Sequence, residues 1–160
     1  MSLNFIQFHA GVVKPSLLQL GPVIPYTAIA DLLVSETIWH ESDRLQALGQ
    51  YPQGGVKEHG PFGPGLGVAS IERNTWDWMA ERHDHLLGQG WGTYESLAWD
   101  LRLNVVACRL RYFLDPLPLP KLEDGVEARA TYWWKVYNGS PVDRRPDYIR
   151  NAKAIPWGPT

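Results

Sequence analysis

The run from Thr27 to Gly49, TAIADLLVSETIWHESDRLQALG, constrains this chain most, because its apolar residues recur with the period of a helix. Ala30, Val34, Ile38, Leu45 and Leu48 follow one another at intervals of 4, 4, 7 and 3 residues, which is one stripe of a helical surface. Pro22 and Pro25 stand just before it. Glu41 fills the widest interval, three residues after Ile38 and four before Leu45. A helix that packs this stripe carries a carboxylate in the middle of its buried face. Gly49 offers a stop, and a loop is able to begin anywhere after Ser42.

The rest of the chain alternates helical patterns with breaks. Residues 49–67, GQYPQGGVKEHGPFGPGLG, hold seven glycines and three prolines and predict a long loop whose backbone can approach a ligand closely. Asn74 with Asp77 predicts a capped helix over 75–87, ended by Gly88, Gln89 and Gly90. Leu97, Leu101, Val105, Cys108 and Tyr112 mark a helix over 94–114, and the Pro-rich DPLPLPKLED breaks it at 115–124. Asp124 with Glu127 predicts the start of a last helix, with Val126, Ala130, Trp133, Trp134 and Tyr137 as its broad apolar face. Asn138-Gly139 ends it, and 141–160 reads as a packed or flexible tail. No alternating strand pattern and no internal repeat stands out. The expected architecture is mainly α, with residues 1–160 forming one domain interrupted by a long Gly/Pro-rich loop.

Composition bounds the function. In 160 residues, 44% are hydrophobic and 20% charged, enough apolar material for a core and against intrinsic disorder. Fifteen basic and seventeen acidic residues give a net charge of −2, without the basic excess of a nucleic-acid binder. The start, MSLNFIQFHAGVVKP, lacks the basic and apolar regions of a secretory signal, and no run approaches the ~18–20 apolar residues of a membrane span. A single cysteine, Cys108, excludes an internal disulfide, and its place on an apolar stripe makes it packing rather than a nucleophile. His83 and His85, two apart on a helix, point about 200° apart and cannot share an ion. Glu36 and His40 read as a surface pair, and His59 with Glu58 stands isolated in the loop. No metal site and no cofactor is expected. Neither a phosphate-binding GxxxxGKS/T loop nor a G-x-S-x-G elbow is present.

Glu41 is the sharpest candidate for chemistry. A carboxyl on a core-facing stripe loses hydration, so its pKa rises, and it can hold a proton near neutral pH for delivery to a leaving oxygen. The competing reading is a helix-end carboxylate paired with Arg44. The 8 Trp and 7 Tyr either build a dense core or line a groove, and Trp133, Trp134 and Tyr137 leave both open.

Read in order, these segments resemble the lysozyme-like superfamily, in particular phage-encoded relatives of the soluble lytic transglycosylases. That family opens with a helix ending in Glu-Ser, here TIWHES from Thr37 to Ser42. A motif of the form G-x-x-G-L-x-Q-I-x-P-x-T follows, here PGLGVASIERNTW from Pro64 to Trp76, and an aromatic helix ending in Tyr-Asn closes it, here YWWKVYNG from Tyr132 to Gly139. The lead-in KPSLLQLGPVIPYTAIADLL completes a resemblance over roughly 14–140. It implies a goose-type helical domain in which Glu41 is the general acid. It also implies that Ser42, Gly65, Gly67, Ser70, Ile71, Thr75, Tyr137 and Asn138 line a glycan groove. Two positions depart from the pattern: the usual Gln falls on Ser70 and the usual Pro on Arg73.

The activity implied is cleavage of the β-1,4 bond between N-acetylmuramic acid and N-acetylglucosamine in peptidoglycan, by a protein made in the cytoplasm and acting on the cell wall. A transglycosylase needs Glu41 alone, whereas a hydrolase usually needs a second carboxylate, for which Glu58 is the candidate. The shorter Ser70 keeps open a non-catalytic phage particle component or glycan-binding protein.

Overall fold

The computed structural model describes residues 4–47, 64–87 and 92–157, with side chains left undescribed at 83–87. Over these residues the chain is a mainly α-helical single domain with one small hairpin. Helix α1 (Phe5–Phe8), a π-helical turn (His9–Val13) and α2 (Lys14–Leu20) run on from one another. Asn4 caps the first by accepting from the Ile6 N–H at 2.9 Å. Phe5, Phe8, Val13, Leu17 and Leu20 are all buried, at intervals of 3, 5, 4 and 3 residues, a near-helical period that the sequence reading missed.

The central element is α3 (Ala28–Glu41), flanked by the N-terminal turn and by helices from the second half of the chain. The Thr27 side chain accepts from the Ala30 N–H at 3.2 Å and starts it. Leu33, Val34 and Ile38 are fully enclosed, and each such side chain stabilises by about 1.5–3 kcal/mol relative to exposure. The helix ends earlier than its periodicity suggests. Ser42 Oγ donates to the Ile38 carbonyl at 2.6 Å and accepts from the Leu45 N–H at 2.8 Å. Asp43, Arg44 and Leu45 then take positive φ angles of 48°, 61° and 64°. Glu41 is thus the last helical residue, and Leu45 reaches the core from a turn instead of a continued helix.

Strands β1 (Gly65–Leu66) and β2 (Ile71–Glu72) pair antiparallel, Gly65 opposite Glu72 and Leu66 opposite Ile71. This hairpin has no alternating signature because each strand is two residues long. Helix α4 (Arg73–Leu87) follows directly, so Asn74 lies inside the helix and is not its cap. The expected helix over 94–114 is broken. A 3-10 turn (Tyr94–Ala98) precedes α5 (Leu101–Phe113), and Asp100 caps α5 by accepting from the Leu103 N–H at 3.0 Å. A short 3-10 turn (Leu122–Asp124) leads into α6 (Gly125–Trp133), where Asp124 accepts from Lys121 N–H and does not cap the helix.

A π-helical turn (Trp134–Asn138) extends α6 and stops at Gly139, which has φ of 61°. The tail is packed: α7 (Arg145–Lys153) lies against α3 and α6 and buries Tyr148 completely. Most of the long loop, 48–63, lies outside the described residues, and with it Glu58 and His59. None of the described helices is long and apolar enough to cross a membrane.

Candidate active site

The end of α3, the hairpin, α5 and the π-helical turn converge on a cleft of about 560 Å³. Six of the residues singled out in the sequence line it: Glu41, Ser70, Ile71, Thr75, Tyr137 and Asn138. They arrive from three separate stretches of chain. Glu72, Arg111, Gly139 and Ser140 complete the lining.

Glu41 opens onto this cleft from a largely enclosed position. Its Oε1 accepts from Trp133 Nε1–H at 3.1 Å. Burial pushes its pKa from 4.5 up to about 7. The Trp133 hydrogen bond favours the ionised form and opposes that rise, while the Glu72 charge adds to it. The carboxyl is therefore about half protonated near neutral pH. Arg44 makes no ion pair with it.

Trp133 is itself held from behind. Its ring is fully buried, stacks on Tyr148 at 4.8 Å between centroids, and meets the His40 ring edge-on at 4.8 Å. Tyr148 Oη donates to Glu36 Oε2 at 3.1 Å. Arg129 grips the same carboxylate twice, Nε to Oε2 at 2.8 Å and Nη2 to Oε1 at 2.7 Å. The expected surface pair of Glu36 and His40 is therefore corrected. Glu36 is only 2% exposed and belongs to a buried ion pair, because α6 and α7 cover that side of α3. His40 bonds to Asn151 at 2.9 Å, and burial lowers its pKa to about 4, so it is neutral at pH 7.

On the opposite wall, Tyr137 Oη donates to the Ala69 carbonyl at 2.6 Å, and Ser70 Oγ donates to the Glu41 carbonyl at 3.2 Å. Both bonds fasten the hairpin turn to the helix ends around the acid. Ser70 has φ of 49°, the left-handed region. Burial raises the Tyr137 phenol well above its ordinary pKa, so the hydroxyl stays a donor. Asn138 Oδ1 accepts from the Ser140 N–H at 3.1 Å, which leaves its two amide N–H groups without a described partner.

Ser42, Gly65 and Gly67 stand outside the lining and serve the backbone. Ser42 closes α3, and Gly65 is in β1. Gly67 has φ of +76°, and a Cβ there would sit 2.0 Å from Asn104 Oδ1 and 2.6 Å from the Leu97 carbonyl. Asn104 needs that room because it stitches the turn to α5, accepting from Ala69 N–H and donating to the Leu97 and Asp100 carbonyls. Arg73, at the departure from the motif, points away to Glu95 at 2.7 Å. Cys108 is buried, as an apolar residue on its stripe should be. Trp133 is core, Trp134 is half-buried, and only Tyr137 of the three reaches the cleft.

Glu72 and Arg111 are cleft residues that the sequence reading missed. Arg111 gave no signal comparable to that of Glu41, because the stripe continues unbroken from Cys108 to Tyr112 beside it. Glu72 had none, since its strand is too short to show alternation. Among the described residues no group of three His, Cys, Asp or Glu side chains is placed to hold a metal ion. No protein-family model, curated protein or solved structure matches this chain.

Proposed function

We propose that this protein cleaves the glycan strand of peptidoglycan with Glu41 as general acid and then base. One observation carries the reading: a carboxyl with a pKa of about 7 faces a cleft whose other walls hold hydroxyl and amide groups. A sugar chain needs those groups for its polar rim, and the half-buried Tyr137 ring suits its apolar faces. The resemblance of TIWHES, PGLGVASIERNTW and YWWKVYNG to the lytic transglycosylase pattern supports peptidoglycan as the substrate.

In the proposed reaction the Glu41 proton passes to the oxygen bridging N-acetylmuramic acid and N-acetylglucosamine as the C1–O bond breaks. The resulting carboxylate takes the proton of the same muramic residue's 6-hydroxyl as its oxygen bonds to C1, which returns Glu41 to its starting state and leaves a 1,6-anhydro end. Glu72 favours a second version, in which water attacks C1 and a second carboxylate assists. Glu72 lines the cleft and joins Glu58, which lies outside the described residues, as a candidate for that part.

Mass analysis of muropeptides released from purified sacculi tests both. Anhydro ends, lighter by one water than hydrolytic ends, identify the first version, and Glu72→Gln should leave it active. Hydrolytic ends lost in Glu72→Gln identify the second. Equal release by Glu41→Gln and wild type refutes Glu41 as the acid. Binding without release would favour a glycan-binding protein, the reading that Ser70 in place of an amide keeps open.

A further inference from the structure

We propose that Arg111 binds a carboxylate carried by the glycan, so that the cleft prefers acidic muramic-acid strands over neutral chitin-like ones. The proposal rests on the glycan reading above and specifies the substrate within it. Arg111 leaves α5 near its C-terminal end and reaches the same cleft as Glu41 and Asn138. It is half-buried, which makes an unneutralised cation costly. No carboxylate among the described residues lies within ion-pair distance of it, and no described acceptor takes a hydrogen bond from it.

Arg109, on the same helix, also lacks a carboxylate partner among the described residues, but it is only 6% exposed, reaches the Pro25 carbonyl at 3.5 Å and does not line the cleft; Arg111 is the unpaired arginine that does. Arg129 is neutralised by Glu36, Arg73 by Glu95 and Arg82 by Glu81, whereas Arg111 has the Trp78 ring, 5.4 Å from its guanidinium carbon, and the phenols of Tyr132 and Tyr137 near its charge, and no described carboxylate partner. The Trp78 contact covers a face of the guanidinium and leaves the N–H donors in its plane for an outside partner. The amide N–H groups of Asn138 are donors on the same cleft. Cation and amide together suit a carboxylate, whereas hydroxyl groups alone would not require a guanidinium. In peptidoglycan that group is either the lactyl carboxylate of a bare muramic residue or a carboxylate of its peptide stem; chitin has neither.

Titration calorimetry on the Glu41→Gln protein, which should bind without turnover, tests this with three ligands. They are chitotetraose, the peptide-free N-acetylglucosamine–N-acetylmuramic acid tetrasaccharide, and the same tetrasaccharide carrying stem peptides. The acidic ligands should bind about tenfold to a hundredfold tighter than chitotetraose at low salt, and the margin should shrink as salt rises. Preference for the peptide-free form assigns the lactyl group, and preference confined to the peptide form assigns the stem. Adding Arg111→Gln should remove most of the preference, and Arg111→Lys should retain part of it, with melting curves confirming that both fold. Acidic and neutral ligands weakened equally by Arg111→Gln, or no preference to begin with, would overturn the proposal while leaving the glycan cleft standing. Absence of binding by all three ligands would overturn both.

Discussion

Replacing Glu41 by Gln gives the sharpest quantitative test of the site. The carboxyl has a pKa of about 7 in the folded chain and 4.5 ordinarily. Folding therefore retains a proton that the unfolded chain releases between those values. The folded-state pKa is raised, so the carboxyl's contribution is intact below pH 4.5 and is lost as pH climbs through 7. At 1.36 kcal/mol per unit, the loss approaches about 3 kcal/mol by pH 8. An amide of nearly the same shape has nothing to ionise and escapes it. Glu41→Gln should unfold close to the wild type at pH 4.5 and be the more stable protein at pH 8. For a chain this long the gap corresponds to roughly 6–12 °C in Tm. Differential scanning calorimetry of both proteins at pH 4.5, 6 and 8 reads it directly. A Tm difference that stays flat across that range would mean that water reaches the carboxyl freely, and the argument for a stored proton would fail.

Trp133→Phe removes the N–H that holds Glu41 toward ionisation, so the alkaline limb of activity, expected near pH 7, should move upward; a pH–rate profile checks it. In the buried pair, Glu36→Gln alone should cost about 3–5 kcal/mol in denaturant unfolding because it strands Arg129, and adding Arg129→Met should recover part of that. Gly67→Ala should cost at least about 2 kcal/mol, since it meets both a disfavoured φ and the Asn104 side chain; unfolding in urea measures it.

Period and punctuation make the helices of this chain legible, and long-range contacts explain where they mislead. Thr27 and Ala30 to Ile38 declare α3, but the bonds of Ser42 that stop it depend on local geometry that the apolar spacing does not record. Nothing in the spacing of Leu97, Leu101 and Val105 betrays the break at Trp99–Asp100, because an apolar stripe passes across a kink unchanged. Tyr148 lies in a stretch rich in Pro, Asp and Arg, and becomes core only because α6 and α3 offer Trp133 and Glu36 to it. The cleft was legible where an ionisable residue interrupts an apolar stripe, at Glu41, and not at Arg111, where the stripe runs on from Cys108 to Tyr112. Glycines told less. Gly67 looked like a ligand contact in the motif, yet its conformation and its closeness to Asn104 explain it without one.

The five-residue winding at Trp134–Asn138 has a bearing on how this chain could vary. Its closing bond runs from the Gly139 N–H to the Trp134 carbonyl at 3.2 Å, one residue more than an ordinary helical turn spans. That surplus residue resets the angular phase between Trp133, which faces inward to the acid, and Tyr137 and Asn138, which face the opening. Removing one residue there would swing everything downstream by about 100° and draw it back about 1.5 Å. Evolutionary drift in sequence is therefore easier to accommodate at this corner than drift in length.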